Sequence, residues 1–333
     1  MKKTLILLIL FLAIGGATFF LTTKKDTKTT ILTEERNFAV ADIESVYKIF
    51  IADRNGKNIT LERKTGYWQL NKKYKANSNS VSNLLNTIQR IKIKYTPPKT
   101  AIKNIINSIA TNNIKIEIYN KSGEKLKSYY IGGVTNDELG TYMIKEEAES
   151  PFVTYVPGFE GSLRVRYMTE EIDWRDKAIF RERLSDIQSV SIEYPKQKNK
   201  SFILEKTNGA FTLAPFYPNS PKAKKVIPKG IAEKYLVGYE KLIAENFMNT
   251  FEKKDSIRQL LPFSVIRFKT TEAEEKVVTL YPIIKRATTG QMILDDEGRQ
   301  IVEKYHADVN GEDFMLIQQL VFGKILWGYD NFN

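Results

Sequence analysis

A hairpin pattern occurs twice in this chain and strongly limits how it can fold. Residues 59–70 read ITLERKTGYWQL, and residues 201–213 read SFILEKTNGAFTL. When Gly66 is aligned with Gly209, 143 residues later, both segments show an apolar run, a Glu, a basic residue, a turn, an aromatic residue and a Leu. Two such runs around a short Gly turn are typical of an antiparallel β-hairpin. The pattern therefore predicts one structural unit that is present twice.

The segments next to the hairpins also correspond. DIESVYKIFI, from Asp42, resembles DIQSVSIEY, from Asp186, and both predict a strand that precedes the hairpin. After the hairpins, apolar residues at helical spacing predict one helix in each copy. The stripes are Val81, Leu84, Leu85 and Ile88 in the first copy and Leu236, Tyr239, Leu242 and Ile243 in the second.

Further pairs complete each copy. A shorter second helix is predicted near residues 99–110 and again near 252–261. The segment TYMIKEEAESPFVTYVPG is matched with QMILDDEGRQIVEKYHADVNG, and each is interpreted as two strands around an acidic turn. Each copy is expected to close with a helix and a Trp, which are Trp174 and Trp327.

We therefore predict an α+β fold with two tandem copies of an antiparallel-sheet unit and packed helices. The first copy is expected at residues 42–183 and the second at residues 184–333, after a polar tether at residues 24–41. A chain of 333 residues is long enough to form two such domains.

Residues 1–23 predict a membrane anchor. An apolar run from Leu5 to Leu21 lies between two pairs of Lys and is long enough to cross a bilayer as a transmembrane helix. A small-residue motif that ends at Ala17 also allows a cleaved signal peptide. The apolar run continues past Ala17, which favours an uncleaved anchor with membrane contact through residues 5–21. Both interpretations place the rest of the chain outside the cytoplasm.

The composition argues against several functional classes. The formal net charge is +12, but the Lys residues are mixed with Asp and Glu and form no stripe of Arg and aromatic residues. Such a stripe is typical of nucleic-acid surfaces, so we expect no nucleic-acid partner. The chain has no Cys, which excludes disulfides, thiolate metal sites and thiol catalysis.

A set of motifs in the first copy carries a family resemblance. The motifs are Ile59 to Arg63 with Trp68, Ile131-Gly132-Gly133, Tyr142, Val156-Pro157-Gly158 and Trp174-Arg175-Asp176. They resemble the domain-of-unknown-function 4340 family over most of residues 40–210, and through the internal repeat to the end of the chain. The resemblance implies a bacterial envelope protein with an N-terminal membrane segment. By analogy, related domains in auxiliary subunits of ABC transporters linked to gliding motility suggest a class of partner.

Few residues offer catalytic chemistry. His306 is the single His, with no second His, Cys or carboxylate at ligand spacing, so we expect a surface or strand-end residue. Three carboxylate clusters could supply acid/base pairs or calcium ligands, but ordinary turn chemistry explains them. They are Glu146-Glu147-Glu149, Glu170-Glu171-Asp173 and Asp295-Asp296-Glu297. No Gly-rich phosphate loop is present. We therefore predict no enzyme activity, no cofactor, no catalytic residues and no metal ligands.

Two features remain as candidate sites. The cluster Trp174, Arg175 and Asp176 is interpreted as a structural tie at the end of the first copy, with a ligand pocket as the alternative. The loop from Pro215 to Lys229 is long for a connection between a strand and a helix, and such loops are often functional. A solvated Lys cluster near anionic lipid is the other interpretation. The candidate partner or polyanion contacts of the loop from Pro215 to Lys229 are Tyr217, Lys222, Lys224 and Lys225.

These observations favour a non-enzymatic scaffold. We predict a single-pass protein of the bacterial cytoplasmic membrane with a periplasmic body. It would serve as an auxiliary subunit of a cell-envelope complex, for which an ABC-type transporter linked to gliding motility is one candidate. The alternative is a module that binds an envelope polyanion or glycan. A glycan hydrolase that uses carboxylates alone is the third hypothesis, and it requires two carboxylates in one cleft.

Overall fold

The chain consists of two compact units that divide between Asp176 and Lys177. The structure is a computed structural model that describes residues 35–271 and 274–333. The predicted anchor at 1–23 and residues 24–34 of the tether lie outside the described residues. No helix within the described ranges is both long and apolar enough to cross a membrane. The predicted boundary between the copies, after Arg183, lies within the second unit.

The first unit is built on one nine-stranded antiparallel sheet. Its strands are β1 (Lys48–Asp53), β2 (Asn58–Lys64), β3 (Tyr67–Leu70), β4 (Tyr74–Lys75), β5 (Lys92–Tyr95), β6 (Ile114–Tyr119), β7 (Lys125–Val134), β8 (Thr141–Lys145) and β9 (Phe152–Tyr155). They lie in the order β4-β3-β2-β1-β6-β7-β8-β9-β5.

The second unit contains a two-stranded sheet and a second nine-stranded antiparallel sheet. Its strands are β10 (Ala178–Phe180), β11 (Ile187–Glu193), β12 (Phe202–Thr207), β13 (Ala210–Pro215), β14 (Lys225–Ile227), β15 (Leu242–Ile243), β16 (Asn246–Phe247), β17 (Ser264–Thr270), β18 (Lys276–Ile284), β19 (Val302–Val309) and β20 (Asp313–Gln318). The small sheet pairs β10 with β15, and the large one has the order β14-β13-β12-β11-β17-β18-β19-β20-β16.

The two large sheets have the same topology. When the nine strands of each large sheet are numbered from 1 to 9 in chain order, both sheets have the order 4-3-2-1-6-7-8-9-5. The fold is mixed and consists mostly of sheet, in agreement with the α+β prediction. The repeated hairpin is β2–β3 in the first unit and β12–β13 in the second, with Leu61 opposite Leu70 and Leu204 opposite Leu213.

Short helices complete the units. They are α1 (Ser78–Arg90), α2 (Lys99–Thr111), α3 (Glu171–Trp174), α4 (Lys229–Leu236), α5 (Lys254–Arg258) and α6 (Gln319–Phe322). The predicted stripe of α1 is confirmed, because Val81, Leu84 and Ile88 are buried. The Asn77 side chain begins this helix by accepting hydrogen bonds from the backbone N–H groups of Asn79 and Ser80.

The first strand of the first copy begins later than predicted. Residues Ile43–Ser45 form a 3₁₀ turn because the Asp42 side chain accepts a hydrogen bond from the Glu44 backbone N–H. The strand starts at Lys48. Ile49 pairs with Leu61 as Val190 pairs with Leu204, so Ile49 and Val190 are equivalent, and the alignment of Asp42 with Asp186 was wrong by three residues.

The predicted helix through Leu236, Tyr239, Leu242 and Ile243 was also wrong. The α4 helix ends at Leu236, a 3₁₀ turn follows, and Leu242 and Ile243 form β15. Gly238 packs closely here, since a Cβ atom on it would lie 2.8 Å from Cγ2 of Ile325. Leu242 and Ile243 then pair with β10 and form a strand. Apolar spacing alone does not distinguish this arrangement from a helix.

The predicted match of residues 141–158 with 291–311 was wrong in register. The strands equivalent to β8 and β9 are β19 and β20, which a turn through Asn310 and Gly311 connects. The connection between β18 and β19, residues 285–301, is longer than its counterpart between β7 and β8, residues 135–140. Its acidic turn closes because the Asp295 side chain accepts hydrogen bonds from the N–H groups of Glu297 and Arg299.

Helix α2 packs closely against β7, which gives a prediction on stability. A Cβ atom on Gly132 would lie 2.6 Å from Cγ1 of the buried Ile109, whereas no atom lies within 4 Å of one on Gly133. We expect Gly132→Ala to destabilise the first unit by about 1–3 kcal/mol through overpacking. Gly133→Ala, the matched control, should leave stability near the wild-type value.

The measurement is urea unfolding followed by Trp fluorescence in a Trp327→Phe background, so that Trp68 and Trp174 report on the first unit. Equal unfolding midpoints for the two Ala variants would contradict the close packing of α2.

Candidate functional site

The loop from Pro215 to Lys229 runs from the end of β13 through β14 to the start of α4. Pro228 precedes the first residue of α4, and its carbonyl accepts the N–H groups of Ile231 and Ala232. Its fixed φ and missing N–H suit a helix start. The loop is therefore held at both ends by regular structure.

Tyr217 fixes the first part of this loop. Its hydroxyl donates a hydrogen bond of 2.7 Å to Glu193, and its ring packs against Phe216 and lies 5.3 Å from the Lys198 ammonium. Burial, together with the hydrogen bond to Glu193, raises the pKa of Tyr217 to about 12. The candidate contact Tyr217 therefore has a structural partner, and its ring remains partly exposed.

Lys222 and Lys225 fix the second part of the loop. Lys222 forms an ion pair with Asp330, and Lys225 donates a hydrogen bond to the Asn333 side chain. Both ammonium groups lie within 6 Å of the Tyr329 ring, and the Tyr329 hydroxyl donates to the Ala223 carbonyl. Cation–π contacts of this kind contribute about 0.5–1 kcal/mol at exposed sites.

Lys224, the fourth candidate contact, is exposed and has no ion-pair partner among the described residues. The structure thus divides the four predicted residues. Tyr217, Lys222 and Lys225 hold the loop in place, while Lys224 presents its charge to solvent.

A surface recess of about 330 Å³ lies beside the loop. We call it the basic recess, and it is lined by Lys198, Asn199, Tyr217, Pro218, Asn219, Ser220 and Pro221. Lys198 and Asn199 come from the connection between β11 and β12. No local sequence pattern indicates these two residues, because their approach to the loop depends on the sheet that pairs β11, β12 and β13.

The cluster Trp174, Arg175 and Asp176 lies along an edge of the first sheet. The Trp174 carbonyl accepts the Asn77 N–H at 2.7 Å, and the Asp176 N–H donates to the Lys75 carbonyl at 2.9 Å. Trp174 is fully buried, and the Arg175 guanidinium carbon lies 3.9 Å from the centre of the Tyr74 ring. The backbone of residues 174–176 therefore covers the outer edge of β4.

His306 lies within β19 and is half-buried, which differs from the expected surface or strand-end position. The rings of Phe251 and Phe314 stack near-parallel to the imidazole, with centroids 5.5 and 5.2 Å away. Its Nδ1 is buried and has no hydrogen-bond partner among the described residues. Burial lowers the pKa of His306.

A charged network that the sequence analysis missed covers the other face of the first sheet. Lys115 binds Glu117 at 3.0 Å and Glu146 at 2.8 Å, and Lys125 binds Glu146 at 3.0 Å. The hydrogen bond with Lys115 is the main cause that lowers the pKa of Glu146 to about 2. The alternation of Lys115 and Glu117 with buried Ile on β6 could have indicated this network.

The three carboxylate clusters do not form a metal centre in the part of the chain that the structure describes. Each cluster has a member in a basic contact: Glu146 with Lys115, Glu170 with Lys57, and Asp295 with Arg299. The hydrogen bonds with Lys115 and with Arg299 lower the pKa of Glu146 and of Asp295, whereas a general acid needs a raised pKa.

Comparison with known families identifies the chain. Residues 68–236 match a family described as a domain of unknown function (DUF4340). The chain belongs to the DUF4340 family. The match covers just over half of the 333 residues and runs from Trp68 in the first hairpin to Leu236 at the end of α4. It therefore includes Trp174 and the whole loop of the basic recess. Neither the curated proteins nor the solved structures gave a significant match.

The environment of His306 predicts a pH-dependent stability for this DUF4340 protein. The unfolded chain takes up the His proton near pH 6.5, whereas the folded chain does so only at a lower pH. Stability from neutral His306 is therefore fully present above about pH 6.5 and decreases as the pH falls from there to the folded pKa. Tyr281 lies opposite His306 on β18, and Lys304 and Asp308 are on the same face of β19 as His306. Asp308 pairs with Arg258, whose guanidinium carbon lies 5.7 Å from the centre of the Phe314 ring.

We expect the urea midpoint of the wild-type protein to fall more between pH 7.5 and pH 5.5 than that of His306→Phe. The Phe variant keeps an aromatic ring between the same neighbours and has no titrating group. Subtracting the two pH profiles removes the contribution of the carboxylates. Parallel profiles would show that His306 does not titrate differently in the folded chain.

Proposed function

We propose that the protein is a non-enzymatic scaffold or auxiliary subunit of a cell-envelope complex. In this proposal, residues 1–23 hold it in the bacterial cytoplasmic membrane by a single span, and its body lies in the periplasm. The complex is an envelope assembly of the ABC-transporter class linked to gliding motility. The apolar run from Leu5 to Leu21 supports the anchor, since its length matches the hydrocarbon core of a bilayer.

The proposal is supported by the structural roles of the side chains that could offer catalytic chemistry. His306 stacks on Phe251 and Phe314, and Glu146 is held by Lys115 and Lys125. In both cases the side chain serves packing or charge pairing within a repeated sheet unit. Because function resides in particular sites and not in the fold, these structural roles support a protein that presents surfaces to partners.

The partner contacts in this proposal run through loops, because the sheet edges are poor templates for a new strand. Residues 174–176 cover β4, and β14 has only three residues and is followed by Pro228. In β5, the register shifts between Ile93 and Tyr95, and Lys92 and Lys94 carry charge along this edge. Short edges with Lys, Pro and bulges disfavour strand addition.

The test is in-cell cross-linking followed by mass spectrometry. The full chain is compared with residues 24–333 exported behind a cleavable signal. We expect subunits of an envelope complex to cross-link to the full chain and to be lost with the released form, because confinement to the membrane raises the local concentration of membrane partners.

A matched control replaces residues 1–23 with an unrelated transmembrane segment. Recovery of the same subunits with this control would show that the segment acts as an anchor only. If no protein cross-links to the full chain or to the released form, the scaffold proposal is wrong.

A further inference from the structure

The first unit binds an acidic segment of its own chain at the β1–β2 and β3–β4 connections. Glu170 forms an ion pair with Lys57, which directly precedes β2. The neighbouring Glu171 accepts a hydrogen bond of 2.7 Å from the Asn71 side-chain amide, after β3. Two adjacent carboxylates therefore satisfy a Lys and an Asn on two neighbouring loops.

The second unit has equivalent loops and a different closing segment. Lys200 stands 143 residues after Lys57, which is also the spacing between Gly66 and Gly209. Lys200 packs against Gly328, since a Cβ atom on Gly328 would lie 3.2 Å from the Cβ atom of Lys200. Gly328 precedes the 3₁₀ turn Tyr329–Phe332, just as Glu170 precedes α3. At the place of the first carboxylate, the second unit therefore has a residue without a side chain.

The next position differs as well. Tyr329 stands where the first unit has Glu171, and its hydroxyl donates to the Ala223 carbonyl within the long loop. Phe332, which is 1% exposed, ends this turn as the fully buried Trp174 ends α3. The equivalent of Trp174 is thus Phe332, and the predicted pairing of Trp174 with Trp327 was wrong. The closing turn of the second unit keeps its buried aromatic residue and lacks both carboxylates.

The basic recess beside this turn retains groups that bind carboxylates. Lys198 in its lining, and Lys200 and Lys224 on the segments that continue from it, have no ion-pair partner among the described residues. The side-chain amides of Asn199 and Asn219 make no hydrogen bond within the same ranges. The two acidic residues beside the recess already have partners. Glu193 is bound by Tyr217 and Arg267, and Asp330 by Lys222. The recess therefore carries an excess of positive charge and free amide donors.

We propose that the basic recess binds an acidic segment of a partner protein, one that presents two adjacent carboxylates. One carboxylate is bound by Lys198, and the other by the amides of Asn199 and Asn219. The proposal rests on the scaffold function, for which it supplies the chemistry of the partner. The first unit supports a peptide ligand, because there Lys57 and Asn71, on the equivalent connections, bind two consecutive Glu residues of a peptide chain.

The test is fluorescence anisotropy with the full chain in neutral detergent and a labelled peptide. The probe is YMTEEID, the sequence of residues 167–173, blocked at both ends, and its matched control is YMTQQID. We expect the Glu peptide to bind at least about tenfold more tightly than the Gln peptide, because charge-assisted hydrogen bonds are stronger than neutral ones.

Variants locate the binding site. Lys198→Met and Asn219→Ala should each weaken the Glu peptide about five- to tenfold. Lys103→Met, the same charge change at an exposed position of α2 in the first unit, should leave its affinity unchanged. Gly328→Glu adds the carboxylate of the first unit and should also weaken binding, whereas the neutral Gly328→Gln should not.

Three outcomes would overturn the proposal. They are equal affinity for both peptides, an affinity that Lys198→Met leaves unchanged, and tighter binding of trigalacturonate than of the Glu peptide. The last would assign the recess to an acidic glycan. This experiment needs no membrane partner, so its failure differs from failure of the cross-linking test. Peptide binding without cross-links would contradict the scaffold function and support the binding site in the recess. Cross-links without peptide binding would show that the partner binds to another surface.

Discussion

The burial of one face of β1, and of its counterpart β11, holds each unit together. Ile49 and Ile51 on β1 are fully buried, and so are Val190 and Ile192 on β11. Each strand is the fourth of nine in its sheet and pairs on both sides, with β2 and β6 in the first unit and with β12 and β17 in the second. A slip of one residue would turn these side chains to the other face, so burial fixes the register. At about 1.5–3 kcal/mol for each buried aliphatic side chain, such a slip would be very costly.

The two units use this frame with different cores. The first buries mainly Ile, Leu and Val around β1 and α1. In the second, aromatic rings take a larger share, and Tyr235 lies between 5.1 and 5.7 Å from the rings of Phe202, Phe332, Tyr239 and Trp327. A conserved strand order with a changed core is possible because sheet pairing depends on the backbone, while the core needs only apolar side chains of suitable volume. The surface loops were then free to differ, and the basic recess lies on such loops.

Much of the fold could be predicted from local patterns. The Gly66 and Gly209 hairpins and the stripe of α1 follow from periodicity and turn chemistry, which act over a few residues. Predictions that needed a register between distant segments were less successful. The Asp42 strand, the helix through Leu242 and the match of the acidic turns all relied on similar residue order. In the folded chain, capping at Asp42, close packing at Gly238 and the longer connection at 285–301 decide these places.

The candidate site divides in the same way. By itself, the sequence determined that the chain contains a repeated unit and that the loop from Pro215 to Lys229 is long and basic, because composition and local periodicity are written along the chain. Only the tertiary structure decided that Lys222 and Lys225 hold the loop while Lys198 and Asn199 line the recess. It also decided that Gly328 stands where the first unit has Glu170. The physical reason is that β-sheet pairing brings together loops far apart in sequence, and no local pattern records which side chains then meet.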